Sequence, residues 1–259
     1  MTEEFFLKAV GMFLIAMVRF TGFFVNVPAF GEGVLPMRVK AGLSALCALI
    51  VLPHLLQTQT LPEIGGPAYG LMIFREMIIG VTLGYVVMIA VDSLKFAGEI
   101  MGMQIGFSFV QVVDPESSRG QGLVAEFFQV LGVLLFLILG GHIILLQTLA
   151  KSFDIVPLSG AIIQNGLVSE IAKLTASIFS LGLQIAMPII AIILIGDVAL
   201  GIIAKTVPRM NIFQVGFSVK ILLGLWTVLT LLPFVADIIK TLYLQTSGNF
   251  YTILNLMHR

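Results

Sequence analysis

The chain has 259 residues, of which 58% are hydrophobic and 11% charged, and its acidic and basic side chains balance to zero net charge. A soluble domain carries about 25% charged residues because charge keeps its surface hydrated. This composition therefore excludes an ordinary soluble globule and predicts a membrane protein. The zero net charge provides no basic field of the kind that attracts nucleic acid, so no nucleic-acid partner is expected.

Six apolar segments follow one another along the chain, and each approaches the roughly 20 residues that a helix needs to cross a lipid core of about 30 Å. They cover residues 5–30, 41–56, 70–91, 123–150, 174–196 and 215–239. The fourth contains Gly140 and Gly141 and is expected to bend or split, and Pro188 predicts a kink or break in the fifth. The predicted fold is all-α, a single domain over residues 1–259 built from polytopic membrane helices, several of them broken or kinked.

Charged side chains also occur inside these apolar segments, where each costs about 2.5 to 3.5 kcal/mol at the centre of a lipid-facing helix. They are Arg19, Arg75, Glu76, Glu126 and Lys220. Arg75 and Glu76 are adjacent and point in different directions on a helix, so at least one of them needs a partner elsewhere. Two interpretations stay open, namely a pore or relay, and a buried ion pair between helices or subunits.

A polar stretch interrupts the apolar pattern in the middle of the chain. Gly98, Gly102 and Gly106 recur every four residues, which places them on one helix face where another backbone can approach closely. A proline, two serines and two glycines then predict a loop, over residues 106–122. Its early part is apolar, so the loop either packs into protein or a cavity, or lies clamped on the surface.

Signatures of catalysis and of ligand binding are missing from the sequence. It contains no HExxH, GxSxG or GxxxxGK[ST] motif, and its three histidines lie in separate segments. The lone Cys47 forms no intrachain disulfide and no cysteine-based metal site. We therefore expect neither an enzyme nor a bound metal or cofactor, and we interpret His142 as a structural residue on an apolar face.

Ordered motifs over residues 19–224 resemble the FliR/SctT family of type III export-gate proteins. They are Arg19 with Pro28, Phe30, Pro36 and Lys40; VDP at 113–115 before a serine-rich turn; Gly141 and His142 followed by Ser152, Phe153, Pro157 and Leu158; and Pro208, Met210, Asn211, Phe213, Gly216, Lys220 and Gly224. Arg209 and Ser218 depart from the family pattern, where glutamine and proline are usual. The motifs favour a flagellar member over the sister SctT injectisome subunit. A small-solute secondary transporter is a weaker alternative, because no repeated half is evident.

The resemblance implies a structural channel subunit of the flagellar export gate in the bacterial inner membrane, within the flagellar basal body. Family members assemble with FliP-like and FliQ-like subunits, FlhB and FlhA, and pass unfolded flagellar proteins through a channel that a plug loop closes. By this resemblance the plug residues are Gly106, Phe107, Phe109, Val110, Val113, Asp114, Pro115, Gly120 and Gly122. The expected subunit contacts are Arg19, Arg75, Glu76, Gly98, Gly102, Lys205, Asn211 and Lys220. The apolar plug side chains would form a dry seal.

Overall fold

The computed structural model describes residues 3–27, 35–59, 67–107, 122–158, 160, 165–207 and 211–258. These ranges form seven helices and no strand, which confirms the all-α prediction. The helices are α1 (Glu3–Asn26), α2 (Met37–Thr58), α3 (Pro67–Ile105), α4 (Leu123–Ile138), α5 (Gly141–Ile155), α6 (Asn165–Thr206) and α7 (Ile212–Met257).

Five of these helices, α1, α2, α3, α6 and α7, are long and apolar enough to cross a membrane. The pair formed by α4 and α5 passes the same test only as one bent unit, which gives up to six spans. The six predicted apolar segments are therefore confirmed. Their predicted lengths are too short for α3, α6 and α7, which have 39, 42 and 46 residues. Polar side chains near the segment ends, such as Asp92 and Lys95, do not stop a helix; they show only where its apolar part ends.

The predicted bend in the fourth apolar segment occurs at Gly140. This residue is the N-cap of α5 and has a φ of 71°, in the left-handed region that glycine adopts without a steric cost. The axes of α4 and α5 differ by 70° across it. At Pro188, by contrast, α6 continues without a break. Of the two outcomes expected there, a break is therefore excluded, because proline is tolerated in long membrane helices whose surroundings satisfy the freed carbonyl.

The described residues divide into two compact units. The first contains Met1–Ile89, Gly140–Leu174 and Tyr243–Arg259, and the second contains Ala90–Leu139 and Thr175–Leu242. The three long helices α3, α6 and α7 each contribute one part to each unit. The interpretation of the whole chain as a single domain stays a prediction.

In the first unit, glycines bring α1 and α3 into backbone contact. A Cβ added at Gly80 would lie 2.1 Å from the Arg19 carbonyl oxygen, and one added at Gly84 would lie 2.6 Å from the Phe23 carbonyl oxygen. Gly22 on α1 contributes to the same contact, since a Cβ added there would lie 2.9 Å from the Met77 carbonyl oxygen. The small residues therefore serve close helix packing, as their spacing of four predicts for Gly80 and Gly84.

The second unit uses the same device between α3 and α4. A Cβ at Gly98 would lie 2.6 Å from the Ala125 Cα, and one at Gly102 would lie 3.6 Å from the Val124 Cβ. Both glycines are buried. The glycine face predicted from the sequence thus packs against a helix of the same chain.

Candidate functional site: the buried ion pair and the ends of the loop

A fully buried ion pair joins α1 to α3. The Arg19 Nε atom donates to the Glu76 Oε2 atom over 2.5 Å, and both side chains are 0% exposed. The backbones of α1 and α3 approach closely at Gly80, where Arg19 lies on α1. Because Glu76 lies four residues before Gly80 on α3, the two side chains can reach one another. A buried charge without its partner costs several kcal/mol, so separating α1 from α3 at this point would be costly.

The remaining donors of Arg19 satisfy the carboxyl end of α5. Nη1 donates to the Ser152 Oγ atom over 3.1 Å, and Nη2 donates to the Val156 carbonyl oxygen over 2.9 Å. The guanidinium carbon also lies 4.1 Å from the centroid of the Phe153 ring. The last carbonyls of a helix lack partners within it and carry partial negative charge, so a buried cation is well placed there.

A second residue holds the same helix end from α2. The Gln59 Nε2 atom donates to the Phe153 carbonyl oxygen over 2.7 Å, and its Oε1 atom accepts from the Leu158 backbone N–H over 2.9 Å. Nearby, His54 and Asp154 form a half-exposed pair, with 2.8 Å between Nε2 and Oδ1. We call Arg19, Gln59 and Glu76 the α5 clamp, because together they tie the end of α5 to α1, α2 and α3.

Sequence reasoning found part of this arrangement. It singled out Arg19 and Glu76 but did not pair them, and it missed Gln59 altogether. Their separations of 57 residues for Arg19 and Glu76, and 94 residues for Gln59 and Phe153, leave no periodic signal. The pair of His54 and Asp154 likewise joins residues far apart in the sequence.

Four of the expected subunit contacts make contacts within this chain. Arg19 and Glu76 are fully buried and satisfy each other, so neither has a surface left for another subunit. They form the intrachain ion pair that was the alternative interpretation. Gly98 and Gly102 are likewise buried against α4 and serve contact within the chain.

The other expected contacts keep some exposure. Lys205 is exposed in the last turn of α6. Asn211 is exposed, and its Oδ1 atom accepts from the Gln214 backbone N–H over 3.3 Å, which is the geometry of an N-cap for α7. Lys220 pairs with Asp197 on α6, with 2.6 Å between Nζ and Oδ1 and side chains 31% and 40% exposed. Arg75 is partly buried and makes no hydrogen bond or ion pair with any described residue.

Both ends of the predicted plug loop are visible. Gly106 has a φ of 102°, its N–H donates to the Met103 carbonyl over 3.2 Å, and the Phe107 N–H donates to the Gly102 carbonyl over 2.9 Å. These two bonds form a Schellman motif that ends α3. Gly122 is the N-cap of α4. The predicted plug residues Phe109, Val110, Val113, Asp114, Pro115 and Gly120 lie outside the described residues.

Two further observations concern chemistry. The Nδ1 atom of His142, in the first turn of α5, is buried and has no hydrogen-bond partner in the described part of the chain. No group of three or more histidine, cysteine, aspartate or glutamate side chains among the described residues is arranged to hold a metal ion. What the described residues assemble is a set of packing and capping contacts.

Comparison with known proteins identifies the family. Residues 10–246 match the family model described as "Bacterial export proteins, family 1". The flagellar biosynthetic protein FliR of Pectobacterium carotovorum is 33% identical over 235 residues, covering 90% of this chain and 89% of the relative. The FliR proteins of Escherichia coli K12 and Bacillus subtilis 168 are 29% and 27% identical, over 93% and 95% of this chain and 92% and 95% of the relatives. The chain belongs to the FliR family of bacterial export proteins.

Membership of the FliR family agrees with the resemblance that the motifs indicated, and it places the α5 clamp and the glycine contacts in a flagellar export protein with membrane-spanning helices. Arg19, at the start of the family pattern noted in the sequence, makes buried hydrogen bonds to Glu76 on α3 and to Ser152 and Val156 at the end of α5. In this member of the FliR family it holds α5 in place.

Proposed function

We propose that this chain is a structural channel subunit of the flagellar type III export gate in the bacterial inner membrane. In this proposal it assembles with FliP-like and FliQ-like subunits, alongside FlhB and FlhA, and unfolded flagellar proteins pass through the shared channel. The loop between α3 and α4 closes that channel when no substrate passes. The chain's own role is structural, and no step of chemistry is assigned to it.

Family membership is the observation that carries the proposal, since the chain matches the FliR family over nearly its whole length. The exposed apolar surface is compatible with assembly. On α6, large apolar side chains are exposed from Phe179, at 60%, to Ile203, at 43%; on α7 they are exposed from Leu222, at 70%, to Leu244, at 62%. At 1.5 Å per residue the α6 stretch runs for about 36 Å, close to the lipid core of about 30 Å. Large exposed apolar surfaces of this kind are covered by lipid or by other protein subunits.

The plug assignment comes from the family resemblance, and the apolar sequence after α3 is compatible with it. A channel wide enough for an unfolded chain leaks ions unless apolar side chains exclude water at its narrowest part. Phe107 completes the Schellman motif at Gly106, and Phe109, Val110 and Val113 continue the apolar sequence. The charged Asp114, at the start of the turn, is unsuited to a dry seal and suits a water-facing or hydrogen-bonded position.

The loop can be tested without disturbing the helices that border it. Residues 108–121 are replaced by a glycine–serine linker of equal length, which retains the helix ends at Gly106, Phe107 and Gly122. The complex is then reconstituted in planar bilayers, and its ion conductance is recorded. We expect the complex to assemble and its conductance to rise clearly above that of the unmodified gate.

The matched control replaces residues 161–164, which join α5 to α6, by glycine and serine. Conductance should then stay at background. A 108–121 replacement that assembles normally and also stays at background would show that this loop does not close the channel.

A further inference from the structure

The adjacent side chains of Arg75 and Glu76 have different surroundings in the structure, and Arg75 is the one that can bind another molecule. Glu76 faces α1 and is fully buried against Arg19. Arg75 points about 100° away around α3, is partly buried, and makes no ion pair or hydrogen bond with any described residue. The sequence required a partner for at least one of these charges. The structure supplies it for Glu76.

The surroundings of Arg75 are apolar and exposed. Leu71, one turn before it, is 51% exposed, and the adjacent Phe74 is 59% exposed. Both lie in a helix that is apolar enough to cross a membrane. An arginine among large apolar side chains resembles the energetic centre of a protein–protein interface, where arginine and aromatic residues are enriched and surrounding contacts exclude water.

We propose that Arg75 and the neighbouring apolar side chains of Leu71 and Phe74 form a docking surface for a helix of another export-gate subunit that carries a carboxylate. This inference rests on the proposed function and names the chemistry of one of its contacts. A guanidinium in an apolar setting binds a carboxylate through two parallel hydrogen bonds, which also fixes the orientation of the partner. The occupant is therefore an apolar helix with an aspartate or glutamate opposite Arg75.

A phospholipid phosphate is the competing ligand for this arginine. Arg75 lies eight residues after the start of α3, which corresponds to about 12 Å along the helix axis. Apolar residues both precede and follow it. A carboxylate on a neighbouring helix can meet the guanidinium at its own depth, and the crosslinking experiment below distinguishes that carboxylate from a headgroup.

Charge reversal with a matched control tests the proposal. The chain is expressed with the other gate subunits, captured by an affinity tag, and the co-purified subunits are quantified. Arg75→Glu should reduce the yield of co-purified subunits at least tenfold, whereas Arg75→Lys should retain a large part of it. Lys173→Glu is the control, since this lysine is 73% exposed and its surface pair with Glu170 contributes little. It should leave the yield unchanged.

The outcomes distinguish failure of the docking surface from failure of the proposed function. If the unmodified chain brings down no other subunit, the proposed function fails and the docking surface with it. If the unmodified chain brings them down and Arg75→Glu does so equally well, the docking surface is wrong while the proposed function stands.

A second measurement covers the case in which Arg75→Glu does not accumulate in the membrane. A photoreactive phenylalanine analogue replaces Phe74 in a chain that keeps Arg75. Irradiation should produce an adduct with another gate subunit, and the adduct peptide should contain an aspartate or glutamate in an apolar helix. Adducts confined to phospholipid or to this chain itself would overturn the proposal.

Discussion

A Cβ atom at position 80 would lie 2.1 Å from the backbone carbonyl oxygen of Arg19, and this closeness of Gly80 to Arg19 is what makes the buried ion pair possible. The two helix backbones touch at this point, so the side chain of Arg19 reaches Glu76, one turn before Gly80 on α3. From there the same arginine caps the end of α5. A glycine contact, an ion pair and a helix cap thus form one continuous arrangement.

Gly80→Ala is expected to destabilise the protein. The added methyl group meets backbone atoms of α1 that cannot move aside, and overpacking of this kind costs about 1–3 kcal/mol. Gly201→Ala is the control, because no heavy atom lies within 4 Å of its Cβ position. In a helix, alanine there should raise stability by about 0.5–1 kcal/mol. Thermal melting in detergent should show shifts of opposite sign, and equal shifts would refute close packing at residue 80.

Glu76→Gln is expected to lower stability by about 3–5 kcal/mol, because it leaves the buried guanidinium of Arg19 without a counter-charge. The double variant Arg19→Met with Glu76→Met removes both charges and should be more stable than Glu76→Gln. Unfolding by denaturant in mixed micelles gives the comparison. A Glu76→Gln variant as stable as the unmodified protein would contradict the buried ion pair.

Gly106→Ala is expected to weaken the end of α3. The φ of 102° at this residue is strained for alanine, which costs about 1–2 kcal/mol, and the added Cβ would lie 3.2 Å from the Phe217 ring. Gly102→Ala, one turn earlier, has a helical backbone and an ordinary contact of 3.6 Å with Val124. Hydrogen exchange should therefore increase at residues 103–107 in the first variant alone. Equal exchange in both would argue against the Schellman motif.

The ion pair of Lys220 and Asp197 is expected to stabilise the protein by more than its partial exposure indicates. Lys220→Met leaves Asp197 as an unpaired carboxylate between apolar side chains, whereas the double variant with Asp197→Leu leaves no charge. A double-mutant cycle, measured as melting temperatures in lipid nanodiscs, should show clear coupling between the two sites. Additive effects would mean that both groups are separately solvated.

The helices could be predicted from the sequence, but which helices pack against one another could not. Apolar length predicted the spans, and Gly140 predicted the bend, because these are local properties of the chain. Pairing Arg19 with Glu76 required knowing which faces of α1 and α3 meet, and both helices carry several candidate faces. Gln59 carried no signal because an amide at a helix end is common. Family motifs compensated in part, since they marked Arg19 as important without indicating what it binds.

Glycine spacing was informative about packing and uninformative about the packing partner. Gly98 and Gly102 were expected to contact other subunits, yet they pack against α4 of the same chain. A small-residue face shows that some backbone comes close. Whether that backbone belongs to the same chain depends on how the helices are connected. The spacing of the glycines contains no information about that connection.

We propose that other subunits of an export gate cover the apolar faces of α6 and α7. Mass spectrometry of the intact complex, purified in mild detergent through a tag on this chain, tests it most directly, because the masses report partners and copy number together. We predict a single assembly in which this chain is accompanied by FliP-like and FliQ-like chains. A monodisperse species containing this chain alone would contradict the account.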